Sequence, residues 1–147
     1  MNRLGDIEIL LIEDNCDEAS LITKILDNHS RNINIMCIGD GREAMDYLYK
    51  RDNYKDSRTP SLIILDLGLP NKDGREILGE IKTDAQLKYI PVIVLTNSDS
   101  NRDILESYEH YANAYITKST DFDKFNKDMY VFIDFWLNGV ILPSYIG

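Results

Sequence analysis

Four short apolar runs of the sequence each end in side chains that could take part in chemistry. Two of the runs end in carboxylates, one in a hydroxyl and one in an amine. Apolar runs of this kind are typical of buried parallel strands, whose carboxyl ends meet at one edge of a sheet and form the usual ligand-binding crevice. We therefore expect these side chains to converge at such an edge. They are Glu13, Asp14, Asp66, Thr96 and Lys118.

The three acidic residues of this set, Glu13, Asp14 and Asp66, are expected to bind a metal ion. Converging carboxylates repel one another and raise each other's pKa unless a cation neutralises them. Oxygen ligands favour a hard ion, and Mg²⁺ is usually held by one or two carboxylates together with waters and phosphate oxygens. We expect Asp14 and Asp66 to bind Mg²⁺ directly and Glu13 to act through water. The backbone carbonyl of Gly68 is a further possible ligand.

Beside a bound Mg²⁺, the carboxylate of Asp66 could attack phosphorus and form an acyl phosphate. The ion and Lys118 would neutralise charge on the phosphoryl oxygens, which is the main task in phosphoryl transfer. The hydroxyl of Thr96 could donate to a phosphoryl oxygen and so sense the group. Singly, each residue has an ordinary explanation, such as helix capping by Asp14. Because the residues occur together at successive strand ends, we interpret them as a phosphoryl-accepting site.

The elements that would position this site alternate along the chain. The apolar runs alternate with segments of helical periodicity, which predicts a parallel sheet with helices on both faces and right-handed crossovers. The second run alternates apolar and polar residues and is expected nearer a sheet edge. The runs are 7–12, 33–38, 62–65, 91–95 and 114–116, and the helical segments are 17–28, 41–51, 73–82, 103–111 and 122–137. In segment 103–111 the expected apolar side consists of Leu105 and Tyr108.

Composition limits the class of protein. A chain of 147 residues fits one compact domain. The net charge of −9 and the pI near 4.6 argue against direct nucleic-acid binding. No apolar run approaches the roughly 20 residues that span a bilayer. Cys16 and Cys37 fit neither a zinc site nor a disulfide framework, and residues 1–6 lack a signal-peptide pattern, so we expect a cytoplasmic protein without membrane contact.

These residues resemble the receiver domain of two-component response regulators. The resemblance implies a doubly wound, flavodoxin-like (βα)₅ fold with strand order 2-1-3-4-5 and phosphotransfer to Asp66 from a sensor histidine kinase. It also implies a switch in which Thr96 moves toward the phosphoryl group and Tyr115 rotates inward. It predicts a single receiver domain over residues 1–147, with a C-terminal extension at 138–147. The residues that carry it are Glu13-Asp14, Asp66 within 65–70, Asp73-Gly74, Thr96 and Lys118.

Three segments, 69–76, 115–119 and 135–137 with 142–143, further resemble the stand-alone regulators paired with bacterial and cyanobacterial phytochromes. This narrower resemblance implies a phytochrome-type kinase partner and a homodimer formed partly through the last helix. Output would then be contact with a downstream protein.

The last helix carries more aromatic residues than one core-facing stripe needs. Phe122, Phe125, Met129, Ile133 and Trp136 have the spacing of that stripe. Surplus aromatic side chains favour an interface between subunits. The residues that we expect in the dimer interface are Tyr130, Phe132, Phe135, Trp136, Val140 and Leu142.

Other functions compete with a phosphorylation switch. Phosphatases that use an aspartyl nucleophile usually carry a second acid two residues later, where this chain has Gly68, so we expect no enzyme beyond self-phosphorylation and autodephosphorylation. The glycine-rich phosphate-binding motifs of nucleotide enzymes are absent from the sequence. The remaining alternative is a receiver-like interaction module that works without phosphorylation.

Overall fold

In the computed structural model, which describes residues 7–28 and 32–143, strands and helices alternate along the chain. All the predicted elements occur, with small shifts at their ends. The strands are β1 (Ile7–Ile12), β2 (Ile33–Ile38), β3 (Leu62–Leu65), β4 (Val92–Thr96) and β5 (Ala114–Thr117). The helices are α1 (Cys16–Asp27), α2 (Gly41–Tyr49), α3 (Gly74–Thr83), α4 (Asn101–Glu109) and α5 (Phe122–Asp134), with a 3₁₀ turn at Asp52–Tyr54 and a π-helical turn at Phe135–Gly139.

The strands form one parallel sheet in the order β2-β1-β3-β4-β5, as the family resemblance implied. β3 and β4 are buried throughout, which their continuous apolar sequences predicted. β2 lies at an edge, as its alternating sequence predicted. The chain order reverses between β1 and β3, so the crevice for a ligand lies at the carboxyl ends of these strands.

Two apolar layers cover the sheet. One layer packs between the sheet and helices α2 and α3, and includes Leu10 and Ile63. The other packs between the sheet and helices α1 and α5, and includes Ile22 and Met129. Burial on both faces holds β1, β3 and β4 in place, so the loops that follow them rest on a rigid base. No helix in the described part of the chain is long and apolar enough to cross a membrane.

The buried side of α5 differs from the predicted stripe at both ends. Phe122, at the first position of α5, is 65% exposed. At the other end Leu137 is buried, while Trp136 is only half-buried. The wider π-helical turn brings the fourth residue after Ile133, rather than the third, onto the buried side. The middle of the stripe was predicted correctly, with Phe125, Met129 and Ile133 buried.

The predicted apolar side of α4 was wrong. Leu105 and Tyr108 are 62% and 49% exposed, whereas Ser107 is buried and Ile104 is half-buried. Ile104 and Ser107 lie three residues apart on the side of α4 that faces the protein. Leu105 and Tyr108 each come one residue later, so their side chains lie about 100° further around the helix.

The predicted C-terminal extension, 138–147, lies partly within the described residues. Asn138 and Gly139 complete the π-helical turn, and 140–143 follow without helix or strand. Residues 144–147, and the N-terminal segment 1–6, lie outside the described residues.

Candidate functional site

The three predicted acidic residues lie together at the carboxyl edge of the sheet. Glu13 and Asp14 follow β1, and Asp66 follows the neighbouring strand β3, whose last residue pairs with the last residue of β1. Carboxylate oxygens of the three residues all lie within 4.8 Å of one another. Glu13 and Asp66 are 4% and 8% exposed, while Asp14 is exposed.

This cluster has the chemistry of a divalent cation site. Glu13, Asp14 and Asp66 are the group of acidic, histidine or cysteine side chains in the described part of the chain that could hold a metal ion. All three ligands are oxygens, which suit a hard cation. Burial raises the pKa of Glu13 to about 7, and the charge of Asp66 adds to this, although the hydrogen bond from Lys118 lowers it. A cation would relieve this crowding of negative charge.

Gly68 lies at the solvent-exposed edge of the cluster. Its backbone N–H points to Asp66 Oδ1 at 3.4 Å, a long contact. A Cβ atom built on Gly68 would meet nothing within 4 Å. The loop after β3 is therefore open on this side.

Lys118 enters the acidic cluster from the loop after β5. Its Nζ donates to Glu13 Oε2 at 2.6 Å and to Asp66 Oδ2 at 3.3 Å, and its side chain is 2% exposed. Burial lowers the pKa of Lys118, but hydrogen bonds to Glu13 and Glu18 outweigh burial, so the pKa lies above its ordinary value. The backbone N–H of Lys118 donates to the carbonyl of Thr96 at 2.8 Å, which places it beside β4. The ammonium is thus charged and directed into the cluster.

Glu18 is a member of the site that sequence reasoning missed. It lies in the first turn of α1, and its carboxylate also accepts from Lys118 Nζ. The side chain of Asn15 caps α1 by accepting from the backbone N–H groups of Asp17 at 3.0 Å and Glu18 at 3.1 Å. An acid in a first helical turn has the ordinary role of favourable interaction with the helix dipole. The sequence feature that could have identified Glu18 is its position in the first turn of the helix that directly follows Glu13 and Asp14.

Thr96 and Tyr115 both contact the loop between β4 and α4. Thr96 ends β4, is 5% exposed, and lies at the same edge of the sheet as the acidic cluster. Its Oγ1 lies 3.5 Å from the backbone N–H of Ser98. The hydroxyl of Tyr115 donates to the carbonyl of Ser98 at 2.8 Å, and burial raises the pKa of Tyr115. The two predicted switch residues therefore share one loop.

Gly74, the first residue of α3, packs against the backbone around Asp66. A Cβ at this position would lie 2.4 Å from the carbonyl oxygen of Asp66 and 2.6 Å from Cα of Leu67. The backbone N–H of Gly74 donates to the carbonyl of Leu67 at 2.9 Å. Only glycine allows this close approach, which fixes the segment that carries Asp66.

The predicted interface residues of the C-terminal segment differ in exposure. Tyr130 and Phe135 are 56% and 59% exposed. Phe132 and Trp136 pack edge to face with ring centroids 6.4 Å apart, partly against the core. The remaining two residues, Val140 and Leu142, are half-buried.

Comparison with known protein families gives an independent line of evidence. The family model of the response regulator receiver domain matches residues 9–129. Response regulator Rcp1 from Synechocystis sp. is 41% identical over 136 residues, which cover 92% of each chain.

Solved structures show the same relationship. The crystal structure of the Mn²⁺-bound form of response regulator Rcp1 has a TM-score of 0.92 and 40% identity, covering 94% of this chain and 99% of that chain. The crystal structure of the phosphorylated cyanobacterial phytochrome response regulator RcpA has a TM-score of 0.91 and 42% identity, covering 95% of this chain and 99% of that chain. The similarity therefore extends over nearly the whole length of both chains.

Proposed function

This chain belongs to the response regulator receiver domain family of two-component systems, and we propose that Asp66 is its phosphoryl acceptor. The observation that carries the proposal is the position of Asp66 between an acidic pair and a buried ammonium, with Lys118 Nζ 3.3 Å from its Oδ2. A carboxylate oxygen of Asp66 would attack phosphorus as the bond from phosphorus to the donor breaks. Self-phosphorylation and autodephosphorylation would be the only reactions of the chain.

We propose Mg²⁺ as the cation at this site. Asp14 and Asp66 would bind it directly, Glu13 through water, and the backbone carbonyl of Gly68 would complete the protein ligands. When bound, the ion would neutralise the carboxylates and the phosphoryl oxygens. The relative Rcp1 has a Mn²⁺-bound form, which supports a divalent cation as a ligand of this chain.

Lys118, Thr96 and Tyr115 would convert phosphorylation into a change of shape. Lys118 would donate to a phosphoryl oxygen, as would the hydroxyl of Thr96. Thr96 lies at the start of the loop that contains Ser98, and the hydroxyl of Tyr115 donates to the Ser98 carbonyl. A movement of Thr96 toward Asp66 would therefore alter the hydrogen bond between Tyr115 and Ser98. The aromatic side chain of Tyr115 would then change its position at the protein surface when Asp66 is phosphorylated.

The phosphodonor would be a phosphohistidine on a sensor histidine kinase, of the phytochrome type. RcpA, at 42% identity, is a phytochrome response regulator, which supports this partner. We further propose that residues 1–147 form a single receiver domain with an extension at 138–147, and that the domain acts in the cytoplasm.

Homodimerisation and contact with a downstream protein would carry the output. Tyr130 and Phe135 carry exposed rings in the C-terminal helical segment, which supports a contact surface there. We propose a symmetric dimer. Its interface would contain Tyr130, Phe132, Phe135, Trp136, Val140 and Leu142.

The test is intact mass after incubation with acetyl phosphate, with Mg²⁺ and with chelator. The unmodified chain is expected to gain one phosphoryl group only with Mg²⁺, and D66N to gain none. D99N, at an exposed aspartate of the β4–α4 loop, is the control and should gain the group normally. Phosphoryl incorporation that persists in D66N would refute Asp66 as acceptor. No gain in any condition would favour the phosphorylation-independent interaction module.

A further inference from the structure

We propose that Glu18 is a positioning residue that competes with the phosphoryl group for the ammonium of Lys118 and thereby weakens the phosphorylated state. The inference rests on the proposed phosphorylation of Asp66. Glu18 lies outside the acidic cluster of Glu13, Asp14 and Asp66. Its role would be to lower the stability of the phosphorylated state of Asp66.

The hydrogen bonds of Lys118 carry the first step. An ammonium group has three N–H donors, and Lys118 Nζ is surrounded by three carboxylate acceptors, from Glu13, Glu18 and Asp66. The contact with Asp66 is long, at 3.3 Å, while that with Glu13 is 2.6 Å. Glu13 and Glu18 therefore hold the ammonium on the α1 side of the site, and all its donors are engaged.

The position of Glu18 is fixed by α1. The Asn15 side chain accepts from the backbone N–H of Glu18 at 3.1 Å, and the next residue, Ala19, is buried against the core. These contacts orient the first turn, so the carboxylate of Glu18 reaches Lys118 from a rigid base. The backbone of Glu18 is therefore held where its side chain reaches Lys118.

Exposure distinguishes Glu18 from the other acceptors. The side chains of Glu13 and Asp66 are 2% and 10% exposed, whereas that of Glu18 is 26% exposed. Water can therefore replace Lys118 as the partner of Glu18 at lower cost than for the buried Glu13. Of the two glutamates, Glu18 is thus the acceptor that Lys118 can leave more easily when a phosphoryl oxygen becomes available.

Phosphorylation of Asp66 adds acceptor oxygens and negative charge beside Lys118. Because every donor of Lys118 is already engaged, a hydrogen bond to a phosphoryl oxygen must replace an existing one. Glu18 opposes this exchange by competing for the ammonium and by repelling the added charge. Loss of the Glu18 charge should therefore strengthen the interaction between Lys118 and the phosphoryl group.

The test uses beryllofluoride, a phosphoryl mimic, titrated into the full chain at saturating Mg²⁺. E18Q keeps the length of the side chain and removes its charge, and it is expected to bind beryllofluoride about fivefold more tightly than the unmodified chain. E18D, which keeps the charge, should lie between the two. D17N removes the same charge from the same helical turn without a contact to Lys118, and it should match the unmodified chain. The ¹⁵N resonance of the Lys118 ammonium, recorded without Mg²⁺ or beryllofluoride, should shift in E18Q but not in D17N.

Each other outcome overturns the inference. Equal or weaker beryllofluoride binding by E18Q, or equal tightening in E18Q and D17N, would refute the role of Glu18 and leave the proposed function intact. An unchanged ammonium resonance in E18Q would also refute it. Failure of the unmodified chain to bind beryllofluoride would overturn both the inference and the proposed phosphorylation of Asp66.

Discussion

The guanidinium of Arg75 in α3 donates to the carboxylate of Asp103 in α4, with Nη2 and Oδ1 2.7 Å apart. The other oxygen of Asp103 accepts from the hydroxyl of Ser98 at 2.6 Å. One carboxylate therefore connects the helix that follows the proposed acceptor Asp66 to the loop that follows Thr96. Sequence reasoning did not identify this connection, because the two partners lie 28 residues apart in unrelated segments.

R75Q should destabilise the fold. Arg75 is 35% exposed and Asp103 is 15% exposed, so the pair is partly protected from water, and we expect a loss of about 1 kcal/mol in the free energy of unfolding. Urea unfolding would measure it. The control is R102Q, because Arg102 is 85% exposed in its pair with Glu106 and should contribute less to stability than Arg75 does. Equal losses in the two variants would contradict the prediction.

The stability contributed by Asp103 should disappear in acid. Hydrogen bonds from Ser98 and then from Arg75 hold the pKa of Asp103 below its ordinary value. Because the pKa is lower in the folded chain than in the unfolded chain, this contribution is present above the unfolded pKa and is lost as pH falls through the folded pKa. D103N should therefore be less stable than the unmodified chain at neutral pH, and the difference should shrink below a pH of about 4. Unfolding free energies measured across this range would test it, and a difference independent of pH would contradict it.

Substitution by alanine should destabilise the chain at one of two glycines near Asp66 and not at the other. G74A places a Cβ 2.4 Å from the carbonyl oxygen of Asp66, and we expect a loss of about 1–3 kcal/mol in stability. G68A places a Cβ in open space and should leave stability nearly unchanged. Thermal unfolding of both variants would test the pair. Similar unfolding temperatures for G74A and G68A would contradict the prediction, because they would show that the backbone around Asp66 can shift to accept the added Cβ.

Mg²⁺ should stabilise the chain through the acidic cluster. A ligand that binds only the folded state at about 100 times its dissociation constant adds about 2.7 kcal/mol. D14N, at an exposed position, should fold normally but lose most of this stabilisation. D17N is the control for loss of one negative charge in the neighbouring helix, and it should retain the effect. Mg²⁺-dependent unfolding midpoints, reversed by chelator, would measure it, and an equal response in all three chains would place the ion elsewhere.

The exposed rings of the C-terminal helix should support self-association. F135S removes a side chain that is 59% exposed, and it is expected to shift the chain toward monomer in sedimentation velocity. Y89S removes a more exposed ring, at 69%, from the segment between α3 and β4, and should leave the mass unchanged. A monomeric unmodified chain, or equal effects of the two variants, would refute the proposed interface.

The sheet could be predicted because its sequence signal is strong and local. Continuous apolar runs identified the buried strands β3 and β4, and the alternation in 33–38 identified the edge strand. The acidic cluster could also be predicted, since the carboxyl ends of neighbouring parallel strands meet at one edge. These inferences need only the order of elements and the residue that follows each strand.

The features that could not be predicted depend on how elements pack in three dimensions. Asp17 and Glu18 are equivalent in sequence as acids of the first turn of α1, and only the position of Lys118 separates them. Leu105 and Tyr108 suggested an apolar side of α4, but the helix turns Ser107 toward the core. The π-helical turn after α5 has no local signal that would have moved burial from Trp136 to Leu137.

The contact between Lys118 and Glu13 joins residues 105 positions apart in the sequence. During translation the acidic pair that follows β1 leaves the ribosome long before Lys118 does, so the full set of groups exists only after β5 has emerged and docked beside β4. Non-local contacts of this kind form late because a long chain segment must be closed. A chain that ends before β5 should therefore not accept a phosphoryl group, so the ability to be phosphorylated depends on synthesis and folding that include β5.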